Sequence, residues 1–228
     1  MCAPFLFLQI LKGGTVLIVD NALKAKLVEK YKDEQVYVVP FESVKHIEDK
    51  FSAIDTKDNS LKQLAKYDNL GKFILRHDAE YNPIFQQLIP YVLIADPSGE
   101  KFYVSKRIAG DQRLIKSLSL GFGGHINPCD GPTNVILNAF RRELQEEVDI
   151  KLHDDKIHFI GHVRDLTSST PDHLGFVFVV KADKVRIKES HVLEGQWMTL
   201  KELEDNYFNF ESWAKYIIDY LYLRKNIF

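Results

Sequence analysis

The sequence predicts an α/β protein, a sheet covered by helices and preceded by an α/β extension. Three observations lead there. Apolar runs of strand length, "TVLIVD" and "VYVVP", alternate with charged stretches of helical period, "NALKAKLVEKYKD" and "SLKQLAKYDNL". The strand signal strengthens after about residue 85, which separates an extension, residues 1–85, from a main domain, residues 86–228. Within that main domain a glycine-rich loop feeds an amphipathic helix. The composition, 45% hydrophobic and 27% charged over 228 residues, is that of a soluble chain able to bury a core.

The elements of the main domain follow in order. "QLIPYVLIAD" and "KFYVSKR" flank "PSGE" and read as a β-hairpin. The loop "LGFGGHINPCDGP" comes next, then a helix from Pro132 to Val148, with Pro132 at its first position because a missing N–H costs nothing there. "KIHFIGHVRDL" and "HLGFVFVVKADKV" read as two further strands. "ESWAKYIIDYLYLRK" reads as a closing helix with Trp213, Ile217, Tyr220 and Leu221 on one face. Alternation of strands and helices in this order implies a layered sheet.

Charge and cysteine content narrow the function. A net charge of −2 offers no basic field for nucleic acid. The two cysteines, Cys2 and Cys129, form neither a disulfide framework nor a zinc spacing, and two unpaired thiols suit a reducing cytoplasm. The apolar opening "MCAPFLFLQILKGG" lacks a positive leader, and no stretch approaches the length of a membrane span. The expected partner is therefore a small molecule; self-association into a homodimer is left open.

The informative stretch is "RRELQEEVDI". Glu143, Glu146 and Glu147 crowd the end of one helix, where like charges at i,i+3 and i,i+4 repel and the macrodipole is also negative. At 100° per residue Ile136, Leu137, Phe140, Leu144 and Val148 form the buried stripe, and the three carboxylates lie along its margin. A solvated helix face would account for the helix taken alone. A glycine loop in front, whose N–H groups can approach phosphate oxygens, shifts the balance toward a shared divalent cation such as Mg²⁺, bound by oxygen ligands.

Gly124 followed by "RELQEEVDI" resembles the Nudix box, G-x5-E-x7-R-E-U-x-E-E-x-G-U, where U is aliphatic. The resemblance implies an α/β/α sandwich with a mixed sheet, and a hydrolase that cleaves a diphosphate linkage, usually in a nucleoside diphosphate derivative. It implies that Glu143, Glu146 and Glu147 bind Mg²⁺ or Mn²⁺, and that Arg142 pairs with a glutamate to orient the site. Three positions depart from the pattern. Asp149 replaces the family glycine, where a left-handed helix end is common. The loop is about four residues too long, so the first glutamate falls on Asn134 counting back and on Asp130 counting forward. Phe122 and Gly123 stand where a proline usually precedes the double glycine.

The remaining assignments follow from the chemistry. A general base is expected in "IKESHVLEGQWMTLKEL": Glu189 first, Glu194 second, with His191 as a weaker option. Arg107 and Arg113 are candidates for bidentate phosphate contacts. Gly123, Gly124 and His125 would line the substrate, with His125 more suited to supporting the loop. Arg76 and Glu80 read as a local salt bridge. The alternative is a nucleotide-binding sensor without turnover; the complete R-E-L-Q-E-E run argues against it.

Overall fold

The computed structural model describes residues 7–10, 16–19, 21–54, 60–109, 117–151, 157–188 and 190–223. Its strands are β1 (Phe7–Ile10), β2 (Val16–Val19), β3 (Gln35–Pro40), β4 (Lys50–Ala53), β5 (Lys72–Leu75), β6 (Phe85–Ala95), β7 (Lys101–Arg107), β8 (Leu118–Ser119), β9 (Gly121–Phe122), β10 (Val148–Asp149), β11 (Ile157–Arg164), β12 (His173–Lys181), β13 (Arg186–Ile187) and β14 (Leu193–Thr199). Its helices are α1 (Asn21–Tyr31), α2 (Phe41–Val44), α3 (Ala65–Asp68), α4 (Arg76–Ala79), α5 (Val135–Glu147), α6 (Leu200–Asp205) and α7 (Ser212–Leu223).

β6 is the axis of the main sheet. After Phe85 every residue of it is buried, as a strand covered on both faces requires. It runs parallel to β12 from Gln87↔His173 to Ala95↔Lys181, and antiparallel to β3, β7 and β9. The path β14-β7-β6-β12-β11-β4 therefore makes a mixed sheet. Successive side chains alternate between its faces. Leu88, Val92 and Ile94 pack with Ile136, Phe140 and Leu144 of α5, whereas Ile89, Leu93 and Ala95 join the cluster that holds Trp213, Ile217 and Leu221 of α7. This is the α/β/α sandwich expected from the sequence. No helix among the described residues is long and apolar enough to cross a membrane.

The β6–β7 hairpin forms as predicted. Its turn is organised by Asp96, which accepts from Lys101 N at 2.9 Å and Ser98 Oγ at 2.6 Å, with Gly99 at φ 79°. α7 buries Ala214 and Ile218 along with Trp213, Ile217 and Leu221, while Tyr220 is only partly buried. α6 starts at a capping box in which Thr199 and Glu202 satisfy one another's backbone N–H groups.

The carboxylate helix begins later than Pro132. Asn134 turns left-handed, at φ 53°, and α5 starts at Val135. The reason is a long-range cap: the Asp68 carboxylate accepts from Asn134 N at 2.8 Å and Val135 N at 3.1 Å. Asp149, expected to tolerate a left-handed helix end, is instead extended in β10, opposite Arg186. The stretch "SLKQLAKYDNL" is one 3-10 turn, Ser60–Leu64, and the single turn α3. Its Tyr67 is buried and lies 3.1 Å from His162 Nε2 on β11, among Phe159 and Phe176.

Residues before β6 thus supply β3, β4 and β5 to the sheet and the cap of α5. Replacing Asp68 with alanine should lower stability by about 1 kcal/mol, the cost of losing an N-terminal cap. Urea unfolding checks this; an unchanged midpoint would mean that the α5 N–H groups find other partners.

Burial depresses the His162 pKa from 6.5 to about 3, with Lys66, His46 and Arg164 adding to the effect. The unfolded chain therefore takes up this proton first. Stability contributed by neutral His162 is complete above about pH 6.5 and is lost as pH falls toward 3, by up to about 1.4 kcal/mol per pH unit. His162→Gln should be less stable at neutral pH yet lose less on acidification between about pH 6.5 and 4. Parallel stability–pH curves for the two proteins would refute this assignment.

Candidate active site

The glycine loop is pressed close to its neighbours, and at Gly123, with φ 152°, only glycine fits. A Cβ on Gly123 would stand 1.9 Å from the Pro90 carbonyl of β6, and one on Gly124 would stand 2.6 Å from Glu143 Oε2. The loop can therefore rest against both the central strand and the carboxylate helix. Beyond it, Tyr37 N of β3 donates to Ile126 O at 2.9 Å, and Asn127 Nδ2 donates to Gln35 O at 2.9 Å. β3 thus holds the loop from its far side.

Arg142 joins these pieces. Its Nε donates to Asp130 Oδ1 at 2.8 Å and its Nη2 to Asp130 Oδ2 at 2.9 Å, a two-pronged pair. Nη2 also reaches the His125 carbonyl at 2.9 Å, and Nη1 reaches Glu143 at 2.7 Å and Glu146 at 3.2 Å. Asp130 is buried and additionally accepts from Asn127 N at 2.8 Å. In the lengthened loop, then, Asp130 rather than Asn134 places its carboxylate against the arginine.

Among the described residues, Arg142 and Lys188 offset the repulsion that stands out in the sequence. Arg142 sits between Glu143 and Glu146. Lys188 covers the negative end of α5: its N donates to Glu147 O at 2.8 Å and its ammonium to Gln145 O. Among the described residues an excess remains, because Asp130, Glu143 and Glu146 face one guanidinium. Burial pushes the Glu143 carboxyl above its ordinary range, and Arg142 opposes that shift. Glu146 is exposed and Glu147 half-buried. As placed, the three glutamates do not form a converged ligand group; among the described residues that distinction belongs to Glu80, His125 and His173. The all-oxygen donors of Glu143, Glu146 and Glu147 nonetheless fit a hard cation, which needs only one or two carboxylates beside waters and substrate phosphates.

Two abutting cavities lie in front of this network. One, of about 280 Å³, brings together Arg107, Gly123 and Glu147 with Tyr91, Ser119 and Glu211. The other, of about 300 Å³, is lined by Gly123, Gly124 and His125 with His173, Glu211 and Trp213. Glu194 is not among the lining residues of either; it is exposed on β14 and lines a separate cavity with Lys106 and Arg186. His191 is exposed. Arg113 and Glu189 lie outside the described residues. Arg76 pairs with Glu80 at 3.0 Å, as expected, and also with Glu34 at 2.9 Å.

Glu211 is the residue that sequence reasoning missed. It precedes α7 and accepts from Trp213 N at 2.9 Å, so locally it is a helix cap. Tyr91 of β6 donates to it as well, and burial raises its carboxyl pKa. The cap position before Ser212 was readable in the sequence; the meeting with β6 was not. His125 points its Nε2 at His173 Nε2, 3.2 Å away, and burial, followed by His173 and Arg76, holds its pKa well below the ordinary range.

A strand–glycine loop–carboxylate helix with its arginine clamp, on an α/β/α sandwich, defines a class, and the NUDIX domain family matches residues 89–221. This chain belongs to that family and is a Nudix-type hydrolase acting on pyrophosphate bonds. It is 32% identical over 203 residues to protein YmaB of Bacillus subtilis strain 168, covering 83% of this chain and 98% of that protein. The crystal structure of Tm1382, a candidate Nudix hydrolase, superposes with a TM-score of 0.68 at 31% identity, over 82% of this chain and 98% of the other.

The Asp130–Arg142 pair makes a direct prediction. Asp130→Ala removes the two-pronged partner of a partly buried guanidinium that keeps Glu143 and Glu146, and should cost about 1–3 kcal/mol in denaturant unfolding. A loss within about 0.5 kcal/mol, the range of an ordinary surface substitution, would show that the clamp does not need Asp130.

Proposed function

We propose that this chain is a divalent-metal-dependent hydrolase that cleaves the diphosphate linkage of a nucleoside diphosphate derivative. The observation that carries the reading is the convergence of Arg107, Gly123 and Glu147 on one cavity beside the Arg142 clamp. Glu143, Glu146 and Glu147 would hold Mg²⁺ or Mn²⁺, which when bound neutralises phosphate charge and lowers the pKa of a water. Arg142 keeps Glu143 and Glu146 in place, and Asp130 keeps Arg142 in place. Arg107, with Arg113, would bind the terminal phosphates in bidentate fashion. Gly123 and Gly124 let the loop backbone approach them, while His125 supports that loop. Glu189 is the proposed general base.

We assign residues 1–85 to the functional unit as an extension packed on a main domain of residues 86–228. Two facts support this. The Asp68 cap and the Tyr37–Ile126 bond tie the segment to the site. The similarity to YmaB covers 83% of the chain, more than residues 89–228 alone can supply. The exposed free thiol of Cys129 suits a reducing, cytoplasmic setting.

Glu147→Gln preserves shape but removes one charge from the proposed ion site. With saturating Mg²⁺ or Mn²⁺ its kcat should fall about a hundredfold or more on whichever diphosphate the wild type cleaves. Release of phosphate-containing products across a panel of nucleoside diphosphate derivatives is the measurement. Undiminished turnover by the variant would place the chemistry elsewhere.

A further inference from the structure

A second cluster of ligating side chains lies behind the glycine loop, and none of its atoms belongs to the carboxylate helix. Glu80, at the end of α4, His125, in the loop, and His173, the first residue of β12, bring one ligand atom each to within 4.8 Å of one another. Glu80 and His173 are buried and His125 is half-buried. The two imidazole Nε2 atoms stand 3.2 Å apart. Two nitrogens bound to zinc at 2.0–2.1 Å with a tetrahedral angle would stand about 3.3 Å apart.

The surroundings are arranged as such a site requires. His173 Nδ1 lies 3.1 Å from Asp172 Oδ1, which fixes the ring and leaves Nε2 facing inward. Asp172 is itself held, accepting from Tyr81 N at 2.7 Å and Gln87 Nε2 at 3.0 Å. That bond to Tyr81 stabilises a left-handed residue, φ 58°, directly after Glu80. Arg76 occupies Glu80 Oε1, leaving the carboxylate a second oxygen. Glu34, Glu80 and Asp172 together outweigh the single charge of Arg76, so the cluster is negative before any cation enters.

We propose that Glu80, His125 and His173 form a zinc site distinct from the carboxylate-helix ion site, with one coordination position left for water or a substrate oxygen. Two imidazoles and one carboxylate favour zinc over Mg²⁺, which prefers oxygen. Three protein ligands with an open fourth position are the arrangement of reactive rather than purely structural zinc. His125 and His173 both line the cavity of about 300 Å³ shared with Gly123 and Gly124, so the fourth position has room. The ion would tie α4, the glycine loop and β12 together at the point where the loop meets Glu143.

The test uses the full chain, stripped of metal, and Co²⁺ alone as probe. Wild type should develop the intense visible bands of a low-coordinate, nitrogen-bound Co²⁺ at about one equivalent, and Zn²⁺ but not Mg²⁺ should abolish them. His125→Ala and His173→Ala should lose the bands. Glu80→Gln and Asp172→Asn, which preserve shape, should weaken Co²⁺ binding about tenfold or more. Glu147→Gln should leave the spectrum unchanged. Absence of the bands in wild type, their persistence at full affinity in Glu80→Gln and Asp172→Asn, or their loss in Glu147→Gln would overturn the proposal. No substrate enters the measurement, so its outcome is independent of whether the diphosphate reading holds.

Discussion

Arg142 is the constraint on which the site depends. One guanidinium reaches the 3-10 turn Pro128–Asp130 through Asp130, a loop through the His125 carbonyl and its own helix through Glu143 and Glu146. A planar, permanently charged fork can satisfy several acceptors at fixed angles, which an ammonium cannot. Because its partners carry more negative charge than it neutralises, the helix end keeps an unspent affinity for cations. Preorganisation and binding potential thus arise from the same group.

The scaffold that presents this clamp is assembled from distant parts of the chain. α5 needs its N-terminal N–H groups satisfied, and the acceptor is Asp68, brought in by the packing of Tyr67 against β11 and β12. The loop needs a wall on its outer side, and β3 supplies one through Tyr37 and Gln35. β3 is fixed in turn by its register with β6, the same strand whose Pro90 carbonyl forbids a side chain at Gly123. Distortion of the extension would therefore be felt at the loop, through backbone hydrogen bonds rather than through side chains alone.

Behind the loop the charge balance differs. The carboxylate helix faces partly outward, where Glu146 is exposed, whereas Asp172, Glu80 and His173 are buried and His125 half-buried. Enclosed polar groups demand partners, since an unsatisfied one costs more than a typical hydrogen bond gains. Asp172 meets that demand with three donors. Glu211 meets it with Tyr91 and the first turn of α7. These carboxylates link β6, β12 and α7 around the cavities.

Much of this was legible in order of residues. Strand and helix periods located β6, β7, α5, β11, β12 and α7, because alternation and a 3.6-residue repeat are local properties of the chain. The R-E-L-Q-E-E run placed four charged groups on one helix, since spacing along a helix is also local. What the sequence alone could not decide was which distant groups meet them. Asp68 as the cap of α5, Asp130 as the partner of Arg142, Glu211 beneath Tyr91 and His173 opposite His125 all depend on strand order and register. The α5 start moved to Val135 for that reason: an acceptor separated by 66 residues from Asn134 outweighed the local preference of Pro132. Periodicity is written residue by residue, whereas a buried charge takes whichever partner the fold brings within about 3 Å, and only tertiary packing sets that distance.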